Sequence, residues 1–356
     1  IPSLDGGGAE KVVITLANKF YIKGFQVDLI VIKTGGKYHQ QLNSGINVVN
    51  LNCDRIVFCL FSLINYLKKN RPDILLSSLT HVNIISIISV LISRVKSRLI
   101  IIEHSLKTKL YRNLNFKNRL IDILMLITYP KAHSIVAVSN EVARNISTRS
   151  GISLSRIKTI YNPVFSPTIL IKSKLNVPHP WFANNEPPVI LSVGRLTEEK
   201  NFSLLIRAFA KVRSKQNLRL LILGEGKMRN KLNSLAFELG VEKDFDMPGF
   251  VQNPYAFMRR ASLFVLSSNY EGFGNVLVEA MACGAPIIST NCPGGPVEIL
   301  ENGIWGNLIP TGDLNALTQG ITKMLNKKDH PNCLERAKEF NIDIKIKEYI
   351  NLMFKD

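Results

Sequence analysis

Short, almost unbroken apolar runs recur along this chain at intervals that leave room for one helix between neighbours, and that alternation restricts the possible folds more than any other feature. In the first half the runs are VDLIVI (27–32), INVVNL (46–51), DILLSS (73–78), LIIIEH (99–104) and SIVAVS (134–139). In the second half they are PVILSVG (188–194), LRLLILG (218–224), SLFVLSS (262–268) and APIIST (285–290). Strands that are apolar on both faces need helices on both sides, so the pattern predicts an α/β chain of doubly wound parallel sheets. Residues 161–188 interrupt the series with Pro163, Pro167, Pro178, Pro180, Pro187 and Pro188 and little periodicity, which reads as a linker. The expected organisation is a Rossmann-like domain over 1–164, a linker over 165–187, a second Rossmann-like domain over 188–340 and a terminal helix over 341–356.

The opening IPSLDGGGAEK (1–11) reads as the end of a strand already entering its glycine turn, so the first strand is expected to be incomplete. At 356 residues the chain is long enough for two hydrophobic cores. Its net charge of +18 is unevenly divided. Up to Phe165 there are 22 Lys and Arg against 8 Asp and Glu, whereas the rest has 23 against 19. A basic first domain favours an anionic surface over a neutral partner. The five cysteines are odd in number and form no Cys-x-x-Cys pair, so neither a disulfide framework nor a zinc site is indicated and a reducing cytosol fits. No apolar stretch reaches the length of a membrane span, and the apolar run at 82–92 reads as a buried helix.

The most informative chemistry lies in YEGFGNVLVEAMACGAPIIS (270–289). It follows a strand, turns through Gly272 and Gly274, and changes to helical spacing at Val276, Leu277, Ala280 and Met281. A helix N-terminus at the carboxyl end of a parallel strand offers unpaired N–H groups and a partial positive charge, which suits a phosphate. Glu271 on the loop and Glu279 on the helix can each accept hydrogen bonds from sugar hydroxyls. Upstream, GRLTEEKN (194–201) places Arg195 and Lys200 after another strand, where two fixed cations can stabilise a departing diphosphate.

Acid-Gly-aromatic-Gly-Asn, with a second acid after seven residues intervening between the two acids, resembles the signature of the family 4 retaining glycosyltransferases, which have the GT-B fold, and the resemblance spans nearly the whole chain. It implies two Rossmann-like domains facing across a cleft, with the tail helix crossing back to the first. By matching positions it implies that Glu271 contacts the donor sugar, Glu279 holds the ribose, and main-chain amides at Asn275, Val276 and Leu277, reached through Gly274, bind the diphosphate. Arg195 and Lys200 match the family's leaving-group cations. Phe250 and Val251, in MPGFVQN (247–253), match the nucleobase pocket. Gly7 and Gly8, with Gly6, match a first-domain turn suited to phosphate or an acceptor hydroxyl, and His104 matches a histidine near the transferred sugar.

The resemblance further implies transfer of a hexose or N-acetylhexosamine, with retention, from a UDP-sugar to a lipid-linked saccharide in bacterial surface-glycan assembly. The nucleotide sugar is then a substrate, and no cofactor is expected. No Asp-x-Asp stands at a strand end, so no essential metal is expected either. The stretch 107–131 has Lys107, Lys109, Arg112, Lys117, Arg119 and Lys131 against Asp122, beside an apolar ILMLI, as an interfacial segment requires. Anionic membrane is therefore an expected partner, and a cytoplasmic, peripheral place on the inner face of the membrane follows. Nucleic acid is not expected, because no recognised motif or clustered aromatics accompany the charge. Two rivals stay open: a nucleotide-sugar epimerase of the same fold, which would convert donor without acceptor, and a non-catalytic basic membrane- or polyanion-binding protein, which would bind no nucleotide diphosphate.

Overall fold

The computed structural model describes residues 1–4, 7–33, 35–36, 38–53, 58–106, 116–327 and 329–354. Gly6 and the basic residues Lys107, Lys109 and Arg112 therefore lie outside the described residues, as does the side chain of Lys117. The chain divides into two compact units, Ile1–Pro163 with Ile342–Asp356, and Val164–Asn341.

In the first unit the order is α1 (Gly8–Ile22), β1 (Asp28–Val31), β2 (Asn47–Asn50), α2 (Cys59–Asn70), β3 (Ile74–Ser78), α3 (Thr80–Ser93), β4 (Arg98–Glu103), α4 (Phe116–Thr128), β5 (Ser134–Ala137), α5 (Asn140–Ser150) and β6 (Ile157–Thr159). All strand pairs are parallel, but they form two sheets: β1 with β2, and β3-β4-β5-β6. Ser139 shows how locally an element is set, because its hydroxyl accepts from the Val142 N–H at 3.2 Å and caps α5. At the other end Gly151, with φ +67°, closes the helix.

The second unit runs α6 (Pro167–Ser173), β7 (Val189–Val193), α7 (Phe202–Arg213), β8 (Arg219–Leu223), α8 (Arg229–Glu238), β9 (Phe245–Gly249), α9 (Pro254–Arg260), β10 (Leu263–Leu266), α10 (Asn275–Ala282), β11 (Ile287–Thr290), α11 (Pro296–Ile299), β12 (Asn307–Ile309), α12 (Leu314–Asn326) and α13 (Leu334–Lys338). Its strands form one parallel sheet in the order β12-β11-β10-β7-β8-β9. The order reverses between β7 and β10, the switch point at which doubly wound sheets bind ligands beyond their carboxyl ends. Phe202, Leu205, Phe209 and Val212 recur at helical spacing along α7 and are buried in the core of this unit.

The last helix, α14 (Ile342–Phe354), belongs to the first unit. Lys19 on α1 bonds Asp343 at 2.7 Å, Phe354 stacks on Phe25 at 6.1 Å between centroids, and Arg98 donates to the Met353 carbonyl at 3.2 Å. The expected linker over 165–187 needs correction, because this segment is part of the second unit. Phe165, Ile169 and Val177 are buried, and α6 packs against α9. Its prolines stand where they do not break helices: Pro167 and Pro180 each open a helical turn. Three strands, β6, β9 and β12, are absent from the apolar series read from the sequence. Two are three residues long and the third carries Met-Pro-Gly, too little for a periodic signal.

Candidate functional site

At the switch point of the second unit the loop after β7 meets the loop after β10. Lys200 Nζ lies 2.5 Å from Glu271 Oε1, and both side chains are largely buried, at 15% and 9% exposure. The Ser268 hydroxyl donates to the same carboxylate oxygen at 2.6 Å. The ion pair sits in a braced frame. Ser267 Oγ donates to the Lys200 carbonyl at 2.8 Å, Thr290 Oγ1 to the Ser268 carbonyl at 2.6 Å, and the Glu271 N–H to the Pro293 carbonyl at 3.0 Å. Asn201 adopts φ +45°, where Asn is tolerated, and its side chain both caps α7 and donates to Asn269 at 3.0 Å. These contacts join residues some seventy positions apart and hold the cation and the acid as one unit.

Beside this pair, Gly274 takes φ +100° and leads into α10, so the first turn of that helix begins at Asn275. The Leu277 N–H already donates to the Gly274 carbonyl at 2.9 Å, and the Leu277 side chain is wholly buried. Of the amides expected to meet a diphosphate, Leu277's thus bonds within the helix, and Asn275 and Val276 precede it in the first turn. Glu279 lies on the same helix and is 4% exposed. Cys292 is buried next to Glu271, and burial together with that charge pushes its thiol up to about 12, far from a nucleophile's range. Among the described residues, no three His, Cys, Asp or Glu side chains cluster as a metal set.

The glycine turns after β7, β8 and β9 are tied side by side. Gly194 N–H donates to the Leu223 carbonyl at 3.0 Å, and Gly224 N–H to the Gly249 carbonyl at 2.8 Å. A Cβ on Gly224 would come within 1.9 Å of the Gly194 carbonyl oxygen, so only glycine permits this approach. Arg229, which sequence reasoning missed, clamps this layer: its guanidinium donates to the Met247 carbonyl at 2.8 Å, the Gly224 carbonyl at 3.2 Å and the Glu225 carboxylate at 2.8 Å. No local motif distinguishes it, since its partners come from both the loop after β8 and strand β9. Phe250 and Val251 follow directly on β9, with Phe250 38% exposed. Arg195 is on the same loop as Lys200, but its side chain is 62% exposed and its neighbour is Glu199 at 3.4 Å.

In the first unit, His104 directly follows β4 with Nε2 3.4 Å from Ser78 Oγ, and its Nδ1 has no hydrogen-bond partner among the described residues. Desolvation holds the imidazole down to about 4, so it is neutral near pH 7 and can accept from a hydroxyl. The residue before it was overlooked. Glu103 is 1% exposed and accepts from Tyr129, from Asn83 at 2.9 Å and from Thr80 at 3.0 Å. Burial raises its pKa against those hydrogen bonds. An acid closing the otherwise apolar run LIIIE was the signal available for it. Gly7 caps α1, which starts at Gly8 rather than near Glu10. The Glu10 carboxylate folds over Gly7, where an added Cβ would stand 2.0 Å from Glu10 Oε2, and so a carboxylate already lies at this helix start.

Comparison with known proteins agrees with this architecture. The model of the glycosyl transferases group 1 matches residues 175–340, and that of glycosyltransferase family 4 matches residues 6–165. The N-acetylgalactosamine-N,N'-diacetylbacillosaminyl-diphospho-undecaprenol 4-alpha-N-acetylgalactosaminyltransferase of Campylobacter jejuni is 30% identical over 96% of this chain and 94% of its own length. The amylovoran biosynthesis glycosyltransferase AmsD of Erwinia amylovora is 25% identical over 98% of this chain and 96% of its own. Among solved structures, Anabaena Alr3699/HepE in complex with UDP and glucose superposes with a TM-score of 0.81 at 19% identity, covering 99% of this chain and 97% of the other. The WaaG glycosyltransferase of lipopolysaccharide biosynthesis gives 0.76 at 16% identity, covering 100% and 99%.

Proposed function

The chain belongs to the family 4 glycosyltransferases of the GT-B fold, and from that premise we propose that it moves a hexose or N-acetylhexosamine, with retention, from a UDP-sugar to a lipid-linked saccharide. The observation that carries this reading is the buried Lys200–Glu271 pair at the switch point of the second unit, next to the N-terminus of α10. The Campylobacter relative named for an undecaprenyl-diphosphate acceptor supports the acceptor class, and the HepE complexes with UDP support the donor.

In this reading the diphosphate lies against the first-turn amides of α10 at Asn275 and Val276. Its negative charge grows as the bond from the anomeric carbon to the phosphate oxygen breaks. Lys200, and Arg195 from its exposed position, stabilise that charge without a metal. Glu271 orients the sugar, Glu279 holds the ribose, and Phe250 with Val251 flank the base. The acceptor hydroxyl forms the new bond to the anomeric carbon on the face the phosphate leaves, and its proton passes to the departing phosphate oxygen. His104, being neutral, can accept a hydrogen bond from a sugar hydroxyl.

A cytoplasmic, peripheral place on the inner face of the membrane completes the proposal. No helix among the described residues is long and apolar enough to cross a membrane. On α4, Leu120, Ile123, Leu126 and Ile127 are exposed along one face, with Arg119 and Lys131 exposed beside them. An apolar stripe with basic neighbours suits the boundary of an anionic bilayer. The test offers a set of UDP-sugars with an undecaprenyl-linked saccharide in excess chelator and follows the product's anomeric configuration by NMR. Retained configuration and undiminished transfer are expected. Inversion, or activity that returns only on adding a divalent metal, overturns the corresponding part.

A further inference from the structure

Lys200 is delivered by a turn that makes few bonds of its own. Glu198–Lys200 form one 3-10 turn between β7 and α7, too short to fix a side chain by itself. The Lys200 and Asn201 N–H groups reach back to the Thr197 and Glu198 carbonyls, each at 3.2 Å. The carbonyls of Glu199 and Lys200 face the loop after β10 instead, and that loop answers them.

Residues 267–269 supply the donors in order. Ser267 Oγ meets the Lys200 carbonyl at 2.8 Å, the Asn269 N–H meets the Glu199 carbonyl at 2.7 Å, and Asn269 Nδ2 meets the Glu198 carbonyl at 3.1 Å. The Asn269 amide is used at both ends, because its Oδ1 accepts from Asn201 Nδ2 at 3.0 Å. One residue thereby holds the turn at Glu198, Glu199 and Asn201, on either side of Lys200. An amide carries a donor and an acceptor on one planar group, and an isosteric carboxylate does not.

This hold decides where the ammonium stands. The Lys200 stem runs beside Gly194, where an added Cβ would be 3.5 Å from Cδ and Cε, and Nζ reaches Glu271, two residues past Asn269. Lysine is long and flexible, so its head keeps one position only while its backbone does. Asn269 is only half-buried, so it can be changed without opening the packed core.

We propose that Asn269 is a positioning residue for Lys200, acting through the 198–201 main chain to keep the ammonium at Glu271 and at the phosphate that leaves. Only the phosphate half of this depends on the reaction proposed above. Loss of the Asn269 side chain lets the turn drift and weakens the stabilisation of charge on that phosphate, with little effect on how tightly the nucleotide is held.

The test compares Asn269→Ala and Asn269→Asp with the wild-type chain, alone and combined with Lys200→Ala. Limited acetylation read by mass spectrometry is expected to modify Lys200 roughly fivefold faster in both variants, the factor set by losing one hydrogen bond that restrains local opening, with Lys323 on α12 unchanged. In UDP-sugar transfer, kcat is expected to fall roughly tenfold with an unchanged KM for the donor. In the Lys200→Ala background neither substitution is expected to lower kcat further, because a residue acting only through Lys200 has nothing left to position. Unaltered Lys200 labelling overturns the proposal, and so do losses that multiply in the double variants. Labelling needs no substrate, so faster modification of Lys200 in a protein that transfers nothing would uphold this assignment and sink the reaction instead.

Discussion

Each unit buries a carboxylate at or just beyond the carboxyl end of a parallel strand, and the two are satisfied in different ways. Glu271 is met by a cation, Lys200, together with the Ser268 hydroxyl. Glu103 is met by neutral donors only, Tyr129, Asn83 and Thr80, with Arg149 acting from farther off, and its pKa is raised by burial. A paired charge in a braced loop can meet a substrate's changing charge, whereas a buried carboxyl held by neutral donors mainly fixes geometry. Under the proposed function this contrast predicts a division of labour, with the chemistry in the second unit and a structural part for Glu103 in the first.

The sharpest break removes Lys200. Lys200→Ala is expected to lower kcat by about 10²- to 10³-fold, the range for losing one fixed donor to a developing oxyanion, with a smaller change in UDP-sugar affinity. Steady-state kinetics beside calorimetric donor binding checks this, and unchanged kcat would sink the assignment. Glu279→Ala should show the complementary pattern, weakening UDP binding by about tenfold, roughly the worth of one good hydrogen bond to a charged group.

Next in size is Glu103→Ala, which strips an acceptor from three buried donors. It is expected to destabilise the first unit by about 2–4 kcal/mol in thermal or denaturant unfolding. Transfer per folded molecule should fall far less than in Lys200→Ala. If the two variants lose activity equally while Glu103→Ala stays stable, the division of labour fails.

The pH dependence sharpens the contrast between neighbours. Glu103's folded pKa is raised, so the native state binds more protons than the unfolded one in the window above the ordinary carboxylate value. Its contribution to stability is therefore present at low pH and is lost as pH rises through that window. Glu103→Gln should flatten that fall. His104 acts with the opposite sign: with its folded value near 4 against 6.5, protonation favours the unfolded chain, so stability falls as pH drops from about 6.5 toward 4. Urea unfolding at a series of pH values for Glu103→Gln and His104→Gln would separate the two slopes.

The smallest effect is expected at Arg195, because its side chain is largely exposed to solvent. Arg195→Ala should cost about 1 kcal/mol or less in donor binding, measured by calorimetry. A loss matching that of Lys200→Ala would show that the loop closes over the donor and buries this residue.

Much of this could be read directly because buried parallel strands are continuous apolar runs, and because a glycine turn followed by helical spacing marks a strand-to-helix loop. The nine apolar runs correspond to strands within a residue or two of their ends, whereas Glu271, Glu279, Arg195 and Lys200 are picked out by their loops at strand ends together with the family resemblance. Proline content misled at 165–187, since proline at a helix start is as much at home as in a linker.

What the sequence determined by itself is local: which segments are strands, which turns require glycine, and which residue types can bear charge chemistry, because each depends on neighbours within one or two helical turns. Only the tertiary structure decided that Lys200 finds Glu271 across 71 positions, that Arg229 ties the loop after β8 to β9, that Glu103 meets neutral donors, and that the first unit's strands stand as two sheets. Those facts arise from which strands become neighbours, and strand order is set by packing summed over the whole sheet, a quantity no short window of residues contains.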